Sequence, residues 1–166
     1  GQTGSGKTYT ISGQPCKEGI VQRSISYIFN FMKENPEISY QLCMSYLEIY
    51  NEHGYDLLTG DGRFSKRIVF QENELGEIKL QNLSLNSINS LQEATELFSI
   101  GEKNRVVEET PMNPISSRSH CIIILHLTAR NMDFSDFKHS KLNIIDLAGS
   151  ERVEKCQIGG QILTEA

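Results

Sequence analysis

The first eight residues, GQTGSGKT, constrain this chain more than any other stretch. They fill the pattern G-x-x-x-x-G-K-[ST], with Gly1, Gly6, Lys7 and Thr8 at the fixed positions. Glycines at that spacing let the backbone curl so that successive N–H groups point at phosphate oxygens. A helix that follows adds its N-terminal partial charge. In that pattern Lys7 neutralises the outer phosphates and the Thr8 hydroxyl ligates Mg²⁺. The loop amides that would cradle phosphate run through Gly1, Gln2, Thr3, Gly4, Ser5 and Gly6, with Tyr9 just beyond on the helix. A phosphate loop of this kind belongs between a strand and a helix; a helix is expected after it, and the strand is expected ahead of Gly1.

Periodicity along the chain agrees. A short helix is expected over residues 6–12, interrupted by Gly13, Pro15 and Gly19. Val21, Ile25, Ile28, Phe29 and Met32 recur at helical spacing from Ile20 until Asn35-Pro36 stops them. Residues 40–50 (YQLCMSYLEIY) read as a buried strand. Residues 67–70 and 78–80 read as a hairpin around Gly76. Ser90 with Glu93 forms a capping-box signature ahead of a helix over 91–105. Residues 121–130 (CIIILHLTAR) and 141–147 (KLNIIDL) are two further strands, joined by the polar, turn-like NMDFSDFKHS. An α/β fold with helices on both faces of a mixed central sheet is the expected arrangement.

Two more segments carry candidate chemistry. NPISSRSH, residues 113–120, is too polar for a core. It is an ordinary solvated loop with a serine turn, or, beside a phosphate loop, a source of hydroxyls for Mg²⁺. DLAGSE, residues 146–151, ends an apolar strand. Asp146 either caps that strand or holds the water shell of Mg²⁺, and Gly149 can bring its N–H close to a phosphate with no side chain in the way.

Composition excludes several classes. The 166 residues suffice for one domain, and their formal net charge of −5 argues against a general nucleic-acid binder. No apolar run is long enough to span a bilayer, so no membrane partner is expected. Cys16, Cys43, Cys121 and Cys156 form no CxxC pair, which points away from zinc or a disulfide framework and toward a reducing compartment.

The order of the three motifs, together with what lies between them, resembles the motor domain of the kinesin family. GQTGSGKT is similar to its P-loop, NPISSRSH to its switch I and DLAGSE to its switch II. SYLEIYNEHGYDLL resembles the family's S-[YF]-x-E-I-Y-N-E-x-x-x-D-L-L strand, and TPMN leads into switch I as it does there. GIVQRSISYIF resembles the family's segment after the loop that interrupts the first helix, with Gln22 where proline is common. His120 and Ser150 favour kinesin over myosin, and no NKxD motif supports a small GTPase. EIYNEHGYDLL and the ERVEKCQIGGQILTEA tail resemble the subfamily of cilia and flagella.

The resemblance implies a P-loop NTPase fold of the kinesin motor type, with ATP and Mg²⁺ as cofactors and microtubules (tubulin) as partner, in the cytoplasm and cytoskeleton. It assigns Lys7 to the β/γ-phosphates and Thr8, Ser117 and Asp146 to Mg²⁺. Ser116 lies beside the attacking water, and the Gly149 amide senses the γ-phosphate. Arg118 and Glu151 join the two switches by a salt bridge. Arg63, Lys66 and Arg67, then Arg152 and Lys155, are basic candidates for an acidic track. By the same resemblance, residues 1–166 correspond to the middle portion of a motor domain, with the adenine-contacting strands expected ahead of Gly1 and the main microtubule helix after Ala166. The expectation is therefore a motor in the intact protein and weak activity and solubility for these residues alone. The alternative is a nucleotide-gated microtubule-binding or regulatory protein without motility.

Overall fold

The computed structural model describes residues 1–14, 16–60, 67–106, 118–131 and 137–151. In chain order these form α1 (Lys7–Ser12), β1 (Gly13–Gln14), β2 (Lys17–Glu18), α2 (Ile20–Glu34), β3 (Ile38–Tyr50) and β4 (His53–Asp56). Then come β5 (Val69–Glu72), β6 (Ile78–Gln81), β7 (Asn86–Ile88), α3 (Leu91–Val106), β8 (His120–Asn131) and β9 (Phe137–Asp146).

The apolar runs read as strands become the centre of one sheet. β3 and β8 pair antiparallel from Ile38↔Asn131 to Ile49↔His120. β9 lies on the far side of β8, in register from Arg130↔Phe137 to Cys121↔Asp146. The order is β4-β3-β8-β9, with β7 pairing β3 as well. β9 starts at Phe137, so FKHS, expected to belong to a turn, is strand. Its side chains are exposed on both faces and lack the alternation by which a strand is read from sequence.

Alternation within β3 and β8 divides the core. Leu42, Met44 and Tyr46 of β3, with Ile123 and Leu125 of β8 and Ile144 of β9, meet Val21, Ile25 and Phe29 of α2 and Ala94 and Phe98 of α3. Burying each such side chain contributes about 1.5–3 kcal/mol. The opposite face carries Leu47 and Ile124, covered by Ile68 and by Leu80 and Leu83 around the β5–β6 hairpin. The three described helices thus form one layer and the hairpin region lies over part of the other face.

Two local devices fix the helices that flank the site. Gln22 accepts a hydrogen bond from the Gly19 N–H at 3.0 Å and donates to the Ser12 carbonyl at 2.6 Å. One side chain therefore caps α2 and ties it to the end of α1. At α3 the Glu93 N–H donates to Ser90 Oγ at 3.1 Å, half of the expected capping box. The Glu93 carboxylate accepts from the Asn89 N–H instead, at 2.8 Å.

Candidate functional site

The phosphate-loop residues form a tight turn. Gly4 and Gly6 sit at φ 77° and 84°, in the left-handed region where a Cβ is strained. The Ser5 N–H donates to the Gln2 carbonyl at 3.2 Å, and α1 begins at once with Thr10 N–H to Gly6 O at 2.9 Å. Lys7 Nζ folds back over the loop and donates to the carbonyls of Gly1 and Gln2, each at 2.9 Å. Tyr9 faces an open cleft of about 800 Å³ that it shares with Lys17 and Arg23. A second cavity of about 320 Å³ runs between Ser5, Gly6 and Lys7 and the end of β9 at Ile145, Asp146 and Leu147.

Asp146 is the hub. As the last residue of β9 it stands on the helix-covered face, 3% exposed, in register with Cys121. Its Oδ2 accepts from Thr8 Oγ1 at 2.6 Å and from Arg105 Nη2 at 2.9 Å. The Arg105 side chain is 4% exposed, so this ion pair is desolvated on both sides. The partner oxygen Oδ1 is buried and has no hydrogen-bond partner among the described residues. A buried carboxylate oxygen left without a donor is costly. It belongs to the same carboxylate as the oxygen that already accepts from Thr8, which makes the pair of side chains a hard-oxygen donor set of the kind Mg²⁺ takes together with phosphates. The residues present fit the ion. Among the described residues no group of three His, Cys, Asp or Glu side chains gathers to hold a metal by itself.

The stretch after Asp146 is stitched to two other segments. The Ser150 N–H donates to the Gly1 carbonyl at 3.2 Å. Both oxygens of Glu151 accept from Thr3, one from its hydroxyl and the other from its N–H at 3.1 Å. These bonds, Thr3's hydroxyl first, hold the Glu151 carboxyl below the usual carboxylate range, and the Lys7 charge adds to them. A Cβ on Gly149 would collide with both Glu151 and Thr3, so the close approach depends on glycine there. Finally, the Ala148 N–H donates to His120 Nδ1 at 3.1 Å.

The structure thus brings Thr8 and Asp146 together, and Gly149 and Glu151 to the phosphate loop. Thr3 is the partner shown for Glu151; Arg118 is half-buried at the approach to β8 and is itself engaged in a contact. Ser116 and Ser117 lie outside the described residues, as do Arg63, Lys66, Arg152, Lys155 and the 152–166 tail. Two site residues escaped the sequence reading. Arg105 looks like an ordinary basic residue in a helix's last turn, where it complements the dipole. Its signal is periodic: Ala94, Phe98, Gly101 and Arg105 recur at i, i+4, i+7 and i+11, all buried, so the arginine lies on the apolar stripe. His120 had no signal beyond membership of its motif.

With that geometry in place, comparison with known proteins gives a single answer. The family model described as "Kinesin motor domain" matches residues 1–166. Kinesin-like protein KIF9 of Mus musculus is 39% identical over 174 residues, which cover 100% of this chain and 22% of that protein. Kinesin-like protein KLP1 of Chlamydomonas reinhardtii is 37% identical over 171 residues, with coverage of 100% and 22%. Among solved structures, that of a fast kinesin superposes with a TM-score of 0.87 at 34% identity, covering 99% of this chain and 47% of its own. The motor domain of the Saccharomyces cerevisiae kinesin-related protein Kar3 gives 0.74 at 34% identity, covering 92% and 46%. The chain therefore spans about a fifth of these curated relatives and about half of the solved motor chains.

Proposed function

Because the chain belongs to the kinesin motor domain family, we propose that the protein containing it binds and hydrolyses Mg-ATP and couples that cycle to movement along microtubules. One observation carries the reading: the hydroxyl of the phosphate loop's Thr8 and the carboxylate of Asp146 meet at 2.6 Å, though they lie 138 residues apart. Convergence of these two groups beside a GK[ST] loop has a ready use in holding Mg²⁺ against nucleotide phosphates.

In this reading Lys7 leaves the Gly1 and Gln2 carbonyls for the β- and γ-phosphates. The amides from Gly1 to Gly6 orient the phosphate chain, and Tyr9 lies toward the base. Thr8, Ser117 and Asp146 hold Mg²⁺, which when bound neutralises charge on the phosphate oxygens. Ser116 orients the attacking water and the Gly149 N–H binds the γ-phosphate. Arg118 takes the Glu151 carboxylate once Thr3 has released it. Exchange of Glu151 between Thr3 and Arg118 would tie the stretch after β9 to the presence of the γ-phosphate. Positioning and charge neutralisation supply the rate.

A cytoskeletal location goes with the track. Cilia or flagella are the finer proposal, supported by the resemblance of EIYNEHGYDLL to that subfamily. No helix among the described residues is long and apolar enough to cross a membrane. The test is Lys7→Ala in the full-length protein, read by equilibrium binding of a fluorescent ATP analogue. Binding should be lost; normal affinity would sink the assignment.

A further inference from the structure

Arg105 reaches Asp146 only because α3 lies very close to the sheet, and that closeness has a visible cause. One turn before Arg105, Gly101 rests directly on the Tyr46 ring: a Cβ there would overlap the ring's Cδ1 and Cε1. The ring cannot give way. It is 1% exposed, and Phe98, one turn further back on the same helix, stacks on it at a centroid separation of 6.0 Å. The Tyr46 hydroxyl donates to the carboxylate of Glu102, which fixes the helix's rotation as well as its depth. Asn104 adds an anchor by donating to the Leu57 carbonyl at 2.7 Å.

Helix geometry turns this seating into a constraint at the site. Gly101 and Arg105 are separated by about 6 Å along the axis and share a face. Lifting α3 by about 1 Å at Gly101 would carry the 2.9 Å Arg105–Asp146 contact beyond hydrogen-bonding range. Asp146 Oδ2 would then keep Thr8 alone, and its orientation would loosen.

We propose that Gly101 and Tyr46, with Glu102, are positioning residues for the Mg²⁺ end of the site: they set the depth and rotation of α3, and so the carboxylate orientation that Arg105 imposes on Asp146. This inference rests on the reading of Thr8 and Asp146 as Mg²⁺ ligands. It predicts that Gly101 and Tyr46, neither of them charged and neither a ligand, set the metal requirement of nucleotide binding through Arg105.

The experiment uses the full-length protein and measures retention of a fluorescent ADP analogue as free Mg²⁺ is varied, with retention in EDTA as the metal-free reference. Gly101→Ala and Tyr46→Phe should each raise the Mg²⁺ concentration for half-maximal retention by on the order of 3- to 10-fold, below the roughly 10- to 100-fold of losing a direct outer-shell partner because they act through Arg105. Metal-free retention should not change. Glu102→Gln keeps an oxygen that can accept from Tyr46 and should stay near wild type, whereas Glu102→Ala should follow Tyr46→Phe. A lowered melting temperature with an unmoved Mg²⁺ midpoint would overturn the proposal, since it would leave these residues a purely structural role. If Asp146→Asn also leaves the midpoint unmoved, the ligand assignment itself is wrong, and that failure is separable because Tyr46→Phe is then silent for a different reason. Tyr46→Phe preserves the ring, so the test survives even if Gly101→Ala does not fold.

Discussion

Replacing Arg105 by Met is the most informative perturbation of the site's scaffold. Met keeps much of the side-chain volume and removes the charge. Both partners of the Arg105–Asp146 pair are nearly solvent-free, at 4% and 3% exposure. Removing one member of a buried pair typically costs about 3–5 kcal/mol, because the other charge stays desolvated. The structure argues for the lower end, near 3 kcal/mol, since Asp146 Oδ2 keeps the 2.6 Å bond from Thr8. Hydrogen exchange measured by mass spectrometry reads this locally, on peptides covering the last turn of α3 and the end of β9. At tenfold per 1.4 kcal/mol, protection there should fall by about two powers of ten, while α2 changes little. Adding Asp146→Asn removes the stranded charge, so the double variant should recover about 1–2 kcal/mol of the loss. A single variant with unchanged protection would refute the reasoning, because it would mean that the pair's attraction only offsets its desolvation. So would a double variant whose losses simply add.

Three other outcomes follow from single contacts. Thr3→Val deletes the hydroxyl that does most to depress the Glu151 carboxyl, so an NMR titration of that carboxyl should move upward. In the unmutated protein the Thr3–Glu151 contact is then complete above the ordinary carboxylate range and is lost as pH falls through the depressed value; a contact that strengthened in acid would contradict the assignment. Gln22→Ala leaves the Gly19 N–H and Ser12 carbonyl without their shared partner, so exchange at the start of α2 should rise, by about 1–2 kcal/mol in opening free energy. Ile123→Ala, 1% exposed in the core, should cost about 2–5 kcal/mol in thermal or urea unfolding, whereas Leu75→Asp at the hairpin tip, 84% exposed, should stay within about 0.5 kcal/mol.

What could be read from the sequence was what neighbouring residues decide together. The phosphate loop, the Val21–Ile25–Phe29 stripe, the apolar β3 and β8 and the Ser90 cap are each set by spacing over fewer than two dozen residues, and each stands where spacing placed it. The α/β class follows from them. β4, at four residues, and β7, at three, are too short for a periodic signal and exist because β3 offers them an edge. β9 extends back to Phe137 because β8 supplies a pairing partner as far as Arg130, a long-range cause that polar FKHS does not advertise. Asp146 was legible as a candidate because it ends an apolar strand. Arg105 carried the weaker signal of a place on the Ala94–Phe98–Gly101 stripe, and its partner could not be read because the packing of α3 on Tyr46 decides what it meets.

The site has a gradient of firmness that bears on how it could switch. At one end Asp146 is buried and held from two sides by Thr8 and Arg105. Five residues later Glu151 is exposed and, among the described residues, hydrogen-bonds to Thr3. Between them, among the described residues, the Ala148 N–H donates to His120 and the Ser150 N–H to Gly1. Exposed hydrogen bonds exchange with water at little net cost, while a desolvated ion pair does not. Residues 147–151 are therefore arranged to pivot about a fixed Asp146, and each contact they would surrender belongs either to the phosphate loop or to the start of β8. A ligand that competes for Thr3 or Gly1 would release the far end of the stretch first and leave Asp146 in place. That order follows from burial, which leaves the less firmly held end of DLAGSE at its last residues and the more firmly held end at Asp146.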